Sequence, residues 1–186
     1  DSSGANPVLT NKNEPVITGR ADIGTVVTVS SDGVSLGSTG TTLSEFSITT
    51  ISVTSNVVTV TTSASHNYVV GDNVLVNAVT NTSINGTYTI TAVTSNTFSY
   101  SKAMTNVSSV ADTGTVDVGV WSYTPTSPIS DGTHTITATE SIPLTGSVSA
   151  NSSSKSLKID TTPPTISIGT VATDNIVNSS EKTAGV

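Results

Sequence analysis

The stretch Thr133-His134-Thr135-Ile136-Thr137-Ala138 decides the fold class, because threonine occupies every second position. A period of two places alternate side chains on opposite faces of a β-strand, one face toward a core and the other toward water. Thr87-Tyr88-Thr89-Ile90-Thr91 shows the same alternation, and most of Thr25-Val26-Val27-Thr28-Val29 alternates between apolar and polar residues. Such β-branched residues fit a pleated surface. These stretches predict an all-β chain with almost no helix.

Turn-forming pairs separate the alternating stretches, with strands recurring about every 8–12 residues. The pairs are Asp32-Gly33, Gly71-Asp72, Asn85-Gly86, Asp131-Gly132 and Pro163-Pro164. Short strands with this punctuation are typical of antiparallel sandwiches and barrels, and not of units that alternate strands with helices.

Three parts of the chain differ in how closely their expected strands follow one another. Residues 1–42 and 117–160 together supply about seven strands, the number that an immunoglobulin-like sandwich needs. Residues 43–116 form a denser series that can close into a small barrel. Its strands are expected at Phe46 to Val53, Val57 to Thr62, Asn73 to Val79, Thr87 to Val93 and Thr97 to Ser101. We therefore predict an immunoglobulin-like antiparallel β-sandwich interrupted by an inserted small β-barrel or β-roll domain, because loop tips tolerate insertions.

Residues 161–186 are interpreted as a linker and the first strand of a following repeat. The run Asp160-Thr161-Thr162-Pro163-Pro164 is stiff, since proline restricts itself and its predecessor to extended backbone. Thr165-Ile166-Ser167-Ile168 is the expected strand start. A linker of this kind keeps neighbouring domains apart.

The composition excludes several classes of function. The 186 residues carry a formal net charge of −7, and six Lys and Arg residues are too few for a patch that neutralises several phosphates, so we expect no nucleic-acid partner. With no cysteine, the chain has neither disulfides nor thiolate metal ligands. No run approaches the ~18 apolar residues of a membrane span. We expect a soluble monomer, a piece of a longer protein.

Two stretches that resemble the halves of one repeat lie on either side of the predicted insert. Residues 14–29 resemble the first half of the bacterial Ig-like repeats of giant adhesins, and residues 121–125 with 131–139 resemble the second half. Asp160-Thr161-Thr162-Pro163-Pro164-Thr165 is similar to the usual junction between repeats. The intervening segment resembles the split extender domains of repeats-in-toxin (RTX) adhesins. The resemblance implies tandem β-sandwiches, export to the bacterial cell surface, Ca²⁺ near domain junctions, and a role in attachment or biofilm formation.

Candidate Ca²⁺ ligands follow from that resemblance. A sandwich of this order brings Asp1, Asp22 and Glu140 to one end and Asp131 and Asp160 to the other. Asp174 and Glu181 belong to an acidic run at the start of the next repeat, which lacks the glycine and spacing of an EF-hand. Carboxylate oxygens are the ligands that Ca²⁺ prefers. The alternative is that these are turn residues that cap their own backbone.

No pattern indicates an enzyme. His66 and His134 lack a partner at metal-ligand spacing, and no nucleophile elbow accompanies the many serines. Trp121 is expected at the start of a strand, packed in the sandwich core, and the aromatic residues of the insert are expected to form its own core.

The functional hypothesis is a non-catalytic extender module, whose partners are the neighbouring tandem domains of the same polypeptide. The alternative is that the insert recognises a surface glycan or protein. A weaker possibility is an accessory module of a secreted hydrolase or phage fibre.

Overall fold

The computed structural model describes residues 8–167 and 179–184, and nearly all of its regular structure is β. Its strands are β1 Val8–Thr10, β2 Ile17–Arg20, β3 Val26–Ser31, β4 Val34–Gly40, β5 Thr42–Thr54, β6 Val57–Thr62, β7 Asn73–Asn77, β8 Gly86–Thr89, β9 Ala92–Val93, β10 Thr97–Ser101, β11 Val107–Ala111, β12 Thr115–Tyr123, β13 Gly132–Ser141 and β14 Lys155–Ile159. A 3₁₀ turn spans Thr82–Ile84, and a six-residue helix, α1, spans Ser179–Ala184. The fold class predicted from alternation is therefore confirmed.

The smaller sheet, here called the sandwich sheet, has the strand order β1-β14-β13-β3-β4. Its pairs are antiparallel except β1 and β14, which run parallel with Val8 opposite Leu157. The β3–β4 hairpin turns at Asp32-Gly33, where both residues have positive φ of 50° and 81°. Two positive φ values are what a tight hairpin turn requires, and Asp-Gly supplies them at low cost.

The larger sheet follows the path β8-β7-β12-β5-β6-β10-β9, with β11 also paired to β5 and β2 also paired to β12. It curls so that Tyr88 of β8 stacks on Tyr100 of β10, with ring centroids 4.1 Å apart. The curled part encloses the core that we call the insert core. Its buried residues are Ile48, Ile51, Val53, Val58, Val60, Tyr68, Val74, Val76, Val79, Ile84, Ile90, Phe98, Tyr100, Val116 and Val118.

A second cluster, the sandwich core, lies between the sandwich sheet and the part of the larger sheet that is formed by β2 and the end of β12. Its buried residues are Val27, Val29, Trp121, Ile129, Ile136, Leu157 and Ile159. The sandwich interpretation required Val27 and Val29 to pack with Trp121 and Ile136, although the two pairs are far apart in the sequence. That prediction is confirmed, while the domain boundaries drawn at residues 42 and 117 stay a prediction.

One strand serves both cores through opposite faces. On β12, Val116 and Val118 pack in the insert core, whereas Trp121 packs in the sandwich core. Because successive side chains of a strand point to opposite faces, even-numbered and odd-numbered residues of β12 face different cores. The two cores are therefore joined through the thickness of a shared sheet.

Several expectations about local structure were wrong. Trp121 lies near the end of β12 and not at the start of a strand, and β11 was missed because Val107–Ala111 shows no alternation. Thr165, Ile166 and Ser167 are not in a strand, and Ile168 lies outside the described residues.

Candidate functional site at the junction of the two cores

Two strands meet end to end along one edge of β12. Residues 115–118 of β12 pair with β7, and residues 120–123 pair with β2. Gly119 lies at the break, where the backbone of Ala21 and Asp22 crosses against it, and a Cβ at Gly119 would collide with the Ala21 carbonyl oxygen. Glycine is therefore required for the chain to leave β2 beneath the end of β7.

An arginine links the sandwich to the insert at this break. The Arg20 guanidinium at the end of β2 donates a hydrogen bond of 2.8 Å to Oδ2 of Asp72, which precedes β7. The same guanidinium lies over the Tyr68 ring, 5.6 Å from its centroid. Asp72 also accepts a hydrogen bond from the backbone N–H of Val69. A partly buried pair with two further contacts fixes orientation more firmly than an isolated surface ion pair.

Asp22 and Glu140 meet at the same junction. Glu140 Oε2 accepts a hydrogen bond of 2.9 Å from the Asp22 backbone N–H, and it also contacts Thr25 Oγ1 at 3.3 Å. Asp22 Oδ1 accepts a hydrogen bond of 2.8 Å from Asn73 Nδ2. Asp22 thus contacts the sandwich through its backbone and the insert through its side chain. A small cavity of about 280 Å³ adjoins Asp22, Asn73 and the backbone of Gly24.

Asp131 and Asp160 lie near each other at the other end of the sandwich, where Gly132 pairs with Ile159. Oδ1 of Asp131 accepts hydrogen bonds from the N–H and Oγ1 of Thr161, at 3.1 and 2.8 Å, and Oδ2 accepts one from Thr162 Oγ1. These bonds, led by the Thr161 hydroxyl, lower the pKa of Asp131. Asp131 therefore holds the segment that leaves β14.

The other three predicted ligands are ones whose side chains the structure does not describe. Asp1 and Asp174 lie outside the described residues, and Glu181 belongs to α1, where its side chain is not described. Within residues 8–167 and 179–184, no three histidine or acidic side chains group closely enough to hold a metal ion. Calcium binding by the seven named residues stays a prediction.

Both histidines have structural contacts. His134 Nδ1 lies 2.7 Å from Asp32 Oδ2, and Nε2 lies 2.9 Å from the Ser130 carbonyl oxygen. The bond to Asp32 raises the pKa of His134. His66 is 6% exposed and stacks on Tyr68 with centroids 4.3 Å apart. Burial lowers the pKa of His66.

The aromatic residues of the insert pack inward, as predicted. Phe98 and Tyr100 are fully buried, Tyr68 is nearly so, and Phe46 contacts Tyr68 edge-on at 5.7 Å. In the described part of the chain, the hydroxyls of Tyr68 and Tyr100 and Nε2 of His66 are buried without a hydrogen-bond partner.

A second, larger cavity opens beside the sandwich core. It has a volume of about 550 Å³ and lies between β2 and the segment after β13. Trp121, Val27 and Ile136 form its apolar floor, while Arg20 and Glu140 line it with charge. Pockets of this size hold small ligands in other proteins, but its walls are also the walls of the sandwich core.

Sequence reasoning missed the junction residues contributed by the insert. Asp72 was interpreted only as a turn residue, Asn73 only as the start of a strand, and Arg20 only as part of a repeat motif. The available signal was their position at the ends of two strands that flank the same partner, which requires the strand order of the sheet.

No family model matches this chain, and neither a curated protein nor a solved structure does. Among the described residues, no helix has the length and apolar character needed to cross a membrane.

Proposed function

We propose that the chain is a non-catalytic extender module of a bacterial surface adhesin, which spaces and stiffens the polypeptide for attachment or biofilm formation. The observation that carries the proposal is that β12 runs without interruption past both cores. A boundary crossed by a continuous hydrogen-bonded strand has no hinge in that strand, because a hinge needs loop residues that absorb changes in φ and ψ.

The ends of the sandwich support a string-like arrangement. β1 and β14 are parallel, so the start of β1 and the end of β14 lie at opposite ends of the pair. A preceding domain and a following domain would join at these two points. The Asp131 contacts to Thr161 and Thr162 restrict the direction of the following segment.

The junction contacts support stiffness over catalysis. Arg20–Asp72 and Asp22–Asn73 tie β2 to β7, and both histidines are used in packing or hydrogen bonding. The adhesin context comes from the sequence resemblance. Ca²⁺ at the Asp22–Glu140 and Asp131–Asp160 ends would add to the stiffness of a tandem array, since an ion that binds only the ordered junction stabilises it.

Small-angle X-ray scattering on two copies of the chain fused head to tail tests the proposal. A stiff tandem should show a maximum dimension close to twice that of the single chain, and this dimension should grow when Ca²⁺ replaces chelator. A matched fusion carrying Asp131→Ala should be more compact on average. A native tandem with a broad range of dimensions, unaffected by Ca²⁺ and by Asp131→Ala, would contradict the spacer function.

A further inference from the structure

A segment with neither strand nor helix lies against the insert core, close to the junction with the sandwich. It joins β6 to β7 and spans residues 63–72, and we call it the strap. Only two of its residues, His66 and Tyr68, are buried. Val69 and Val70 are 56% and 60% exposed. Two neighbouring aromatic side chains therefore hold most of the strap in place.

The His66 ring is enclosed by aromatic side chains. It stacks on Tyr68, and it also contacts Phe46 of β5 and Phe98 of β10 edge-on, with centroids 6.4 and 6.0 Å away. An imidazolium loses its hydration in such a site, and burying a charge is costly unless it is paired. In the described part of the chain, no carboxylate pairs with the His66 ring. The site therefore suits the neutral ring.

The hydrogen bonds of His66 also require the neutral ring. Nδ1 accepts a hydrogen bond of 3.2 Å from the backbone N–H of Tyr68, so the proton of the neutral ring is on Nε2. Nε2 is buried without a hydrogen-bond partner among the described residues. A second proton has to enter at Nδ1, where it would face the Tyr68 N–H, a donor against a donor. Protonation therefore breaks the bond that orients the ring.

The charges around the ring add to this effect. Burial, aided by the positive charge of Arg20 on β2, lowers the pKa of His66, although the Thr97 backbone favours the protonated form. The Arg20 guanidinium lies over the other member of the stack, Tyr68, and its acidic partner is Asp72. Asp117 of β12 acts on the Tyr68 hydroxyl. β5 and β10 contact the ring through phenylalanine alone.

We propose that the strap is an acid-released latch, in which protonation of His66 displaces the ring from its aromatic site and frees residues 63–72 from the insert core. Opening exposes Phe46 and Phe98 and separates Arg20 from Tyr68, while β12 stays paired. The latch deepens the proposed function, and its role in stiffness rests on that function. Contacts between the sandwich and the insert would loosen in acid and form again at neutral pH.

Hydrogen exchange of the full chain, followed by nuclear magnetic resonance from pH 7.5 to 5, tests the latch. The N–H groups of His66 and Gly71 donate to the Ser95 and Ile90 carbonyls, both at 2.9 Å, so their amides report on the strap. In the open strap the pKa of His66 returns to its usual value of about 6.5. The protection factors of these amides should therefore fall by up to about tenfold per pH unit below pH 6.5. Those of β6 should not change.

His66→Phe keeps an aromatic ring and removes the titrating group, so it should abolish the fall in strap protection. His134→Gln, the matched control, removes the other histidine and should leave the fall unchanged. Asp72→Asn removes the carboxylate that holds Arg20, so it should lower strap protection at every pH and keep the slope. In the native chain, the ring resonances of His66 should titrate with a midpoint below 6.5.

Protection factors in the native strap that do not depend on pH would overturn the latch, and so would a fall that persists in His66→Phe. A His66 midpoint at or above 6.5 overturns it without any variant. Equal loss of protection in β6 would mean that the whole chain unfolds in acid, which also contradicts a latch. A tandem that is flexible at pH 7.5 sinks the spacer function even where the His66 slope is intact. A stiff tandem with constant strap protection does the reverse.

Discussion

At the scale of single residues, the packing of Trp121 depends on a glycine in the neighbouring strand. Gly19 is paired with Trp121 across β2 and β12, and the indole ring lies directly against the Gly19 Cα. Its Nε1–H donates to the Arg20 carbonyl at 3.2 Å. Tryptophan as a core residue was predictable from its large apolar area, but the need for glycine opposite it was not, because the register was unknown.

Gly19→Ala should destabilise the protein by about 1–3 kcal/mol, because the added methyl would overlap the ring and force it to move. A Cβ at Gly19 would lie 2.5–2.9 Å from three indole atoms. Urea unfolding followed by circular dichroism measures the change. Gly40→Ala is the control, since a Cβ there meets nothing within 4 Å. Equal stability of the two variants would show that the ring is free to shift.

The two histidines should give opposite pH dependences. Burial lowers the pKa of His66 in the folded state. Its contribution to the free energy of unfolding is therefore complete above about pH 6.5 and is lost as the pH falls below that value. The bond to Asp32 raises the pKa of His134. Its contribution to the free energy of unfolding is therefore complete below about pH 6.5 and is lost as the pH rises through the pKa of His134 in the folded state.

His66→Phe should therefore gain stability relative to the native chain as pH falls from 7.5 to 5, with a slope of at most ~1.4 kcal/mol per pH unit. His134→Gln should lose stability relative to the native chain over the same interval. Urea midpoints at several pH values provide the comparison. Parallel curves for His66→Phe and the native chain would mean that His66 does not titrate differently on folding.

At the scale of elements, alternation located the strands well where one face is packed. β6 and β10 occur at Val57–Thr62 and Thr97–Ser101, as predicted. Alternation did not predict β11, which is held by its pairing with β5 and is mostly exposed. It also did not predict where an irregular segment lies along the edge of a strand. After β13, residues 147–152 run beside that strand with little regular pairing.

Serine side chains complete the hydrogen bonds along this edge of β13. Ser152 donates its N–H to the Ala138 carbonyl at 2.8 Å, and its Oγ accepts the Ala138 N–H at 3.0 Å. Ser149 makes the same pair of bonds with Glu140. A serine hydroxyl thus accepts the hydrogen bond that a strand carbonyl would otherwise accept. The N–H groups on this edge of β13 are therefore not free to pair with a strand of another chain.

Ser152→Ala should leave the Ala138 N–H without an acceptor and cost about 0.5–1.5 kcal/mol. Hydrogen exchange followed by nuclear magnetic resonance should show faster exchange at the Ala138 amide, with little change at Glu140. Ser153→Ala is the matched control, because only the backbone carbonyl of Ser153 takes part in a hydrogen bond. Unchanged Ala138 exchange in Ser152→Ala would indicate that water replaces the hydroxyl.

At the scale of the whole molecule, the split sandwich was predictable because its two parts have similarly spaced strands and turn residues, whereas the strands of the middle segment are more closely spaced. The use of opposite faces of β12 by the two cores was not predictable. Val116-Asp117-Val118 gives no sign of which core each face meets, and the answer depends on β2 and β7 sharing one edge.

Because β12 contributes residues to both cores, the two cores should unfold together. Val60 lies in the insert core, and Val60→Ala should cost about 2 kcal/mol through lost burial. The fluorescence of Trp121, the only tryptophan, reports on the sandwich core. Its urea midpoint should fall as far as the midpoint from far-ultraviolet circular dichroism. Thr61→Val, on the outer face of the same strand, should move neither midpoint by more than about 0.5 kcal/mol. If the urea midpoint of Trp121 fluorescence is the same in Val60→Ala and in the native chain, the two cores unfold separately and β12 opens at the junction. That result would contradict a stiff spacer.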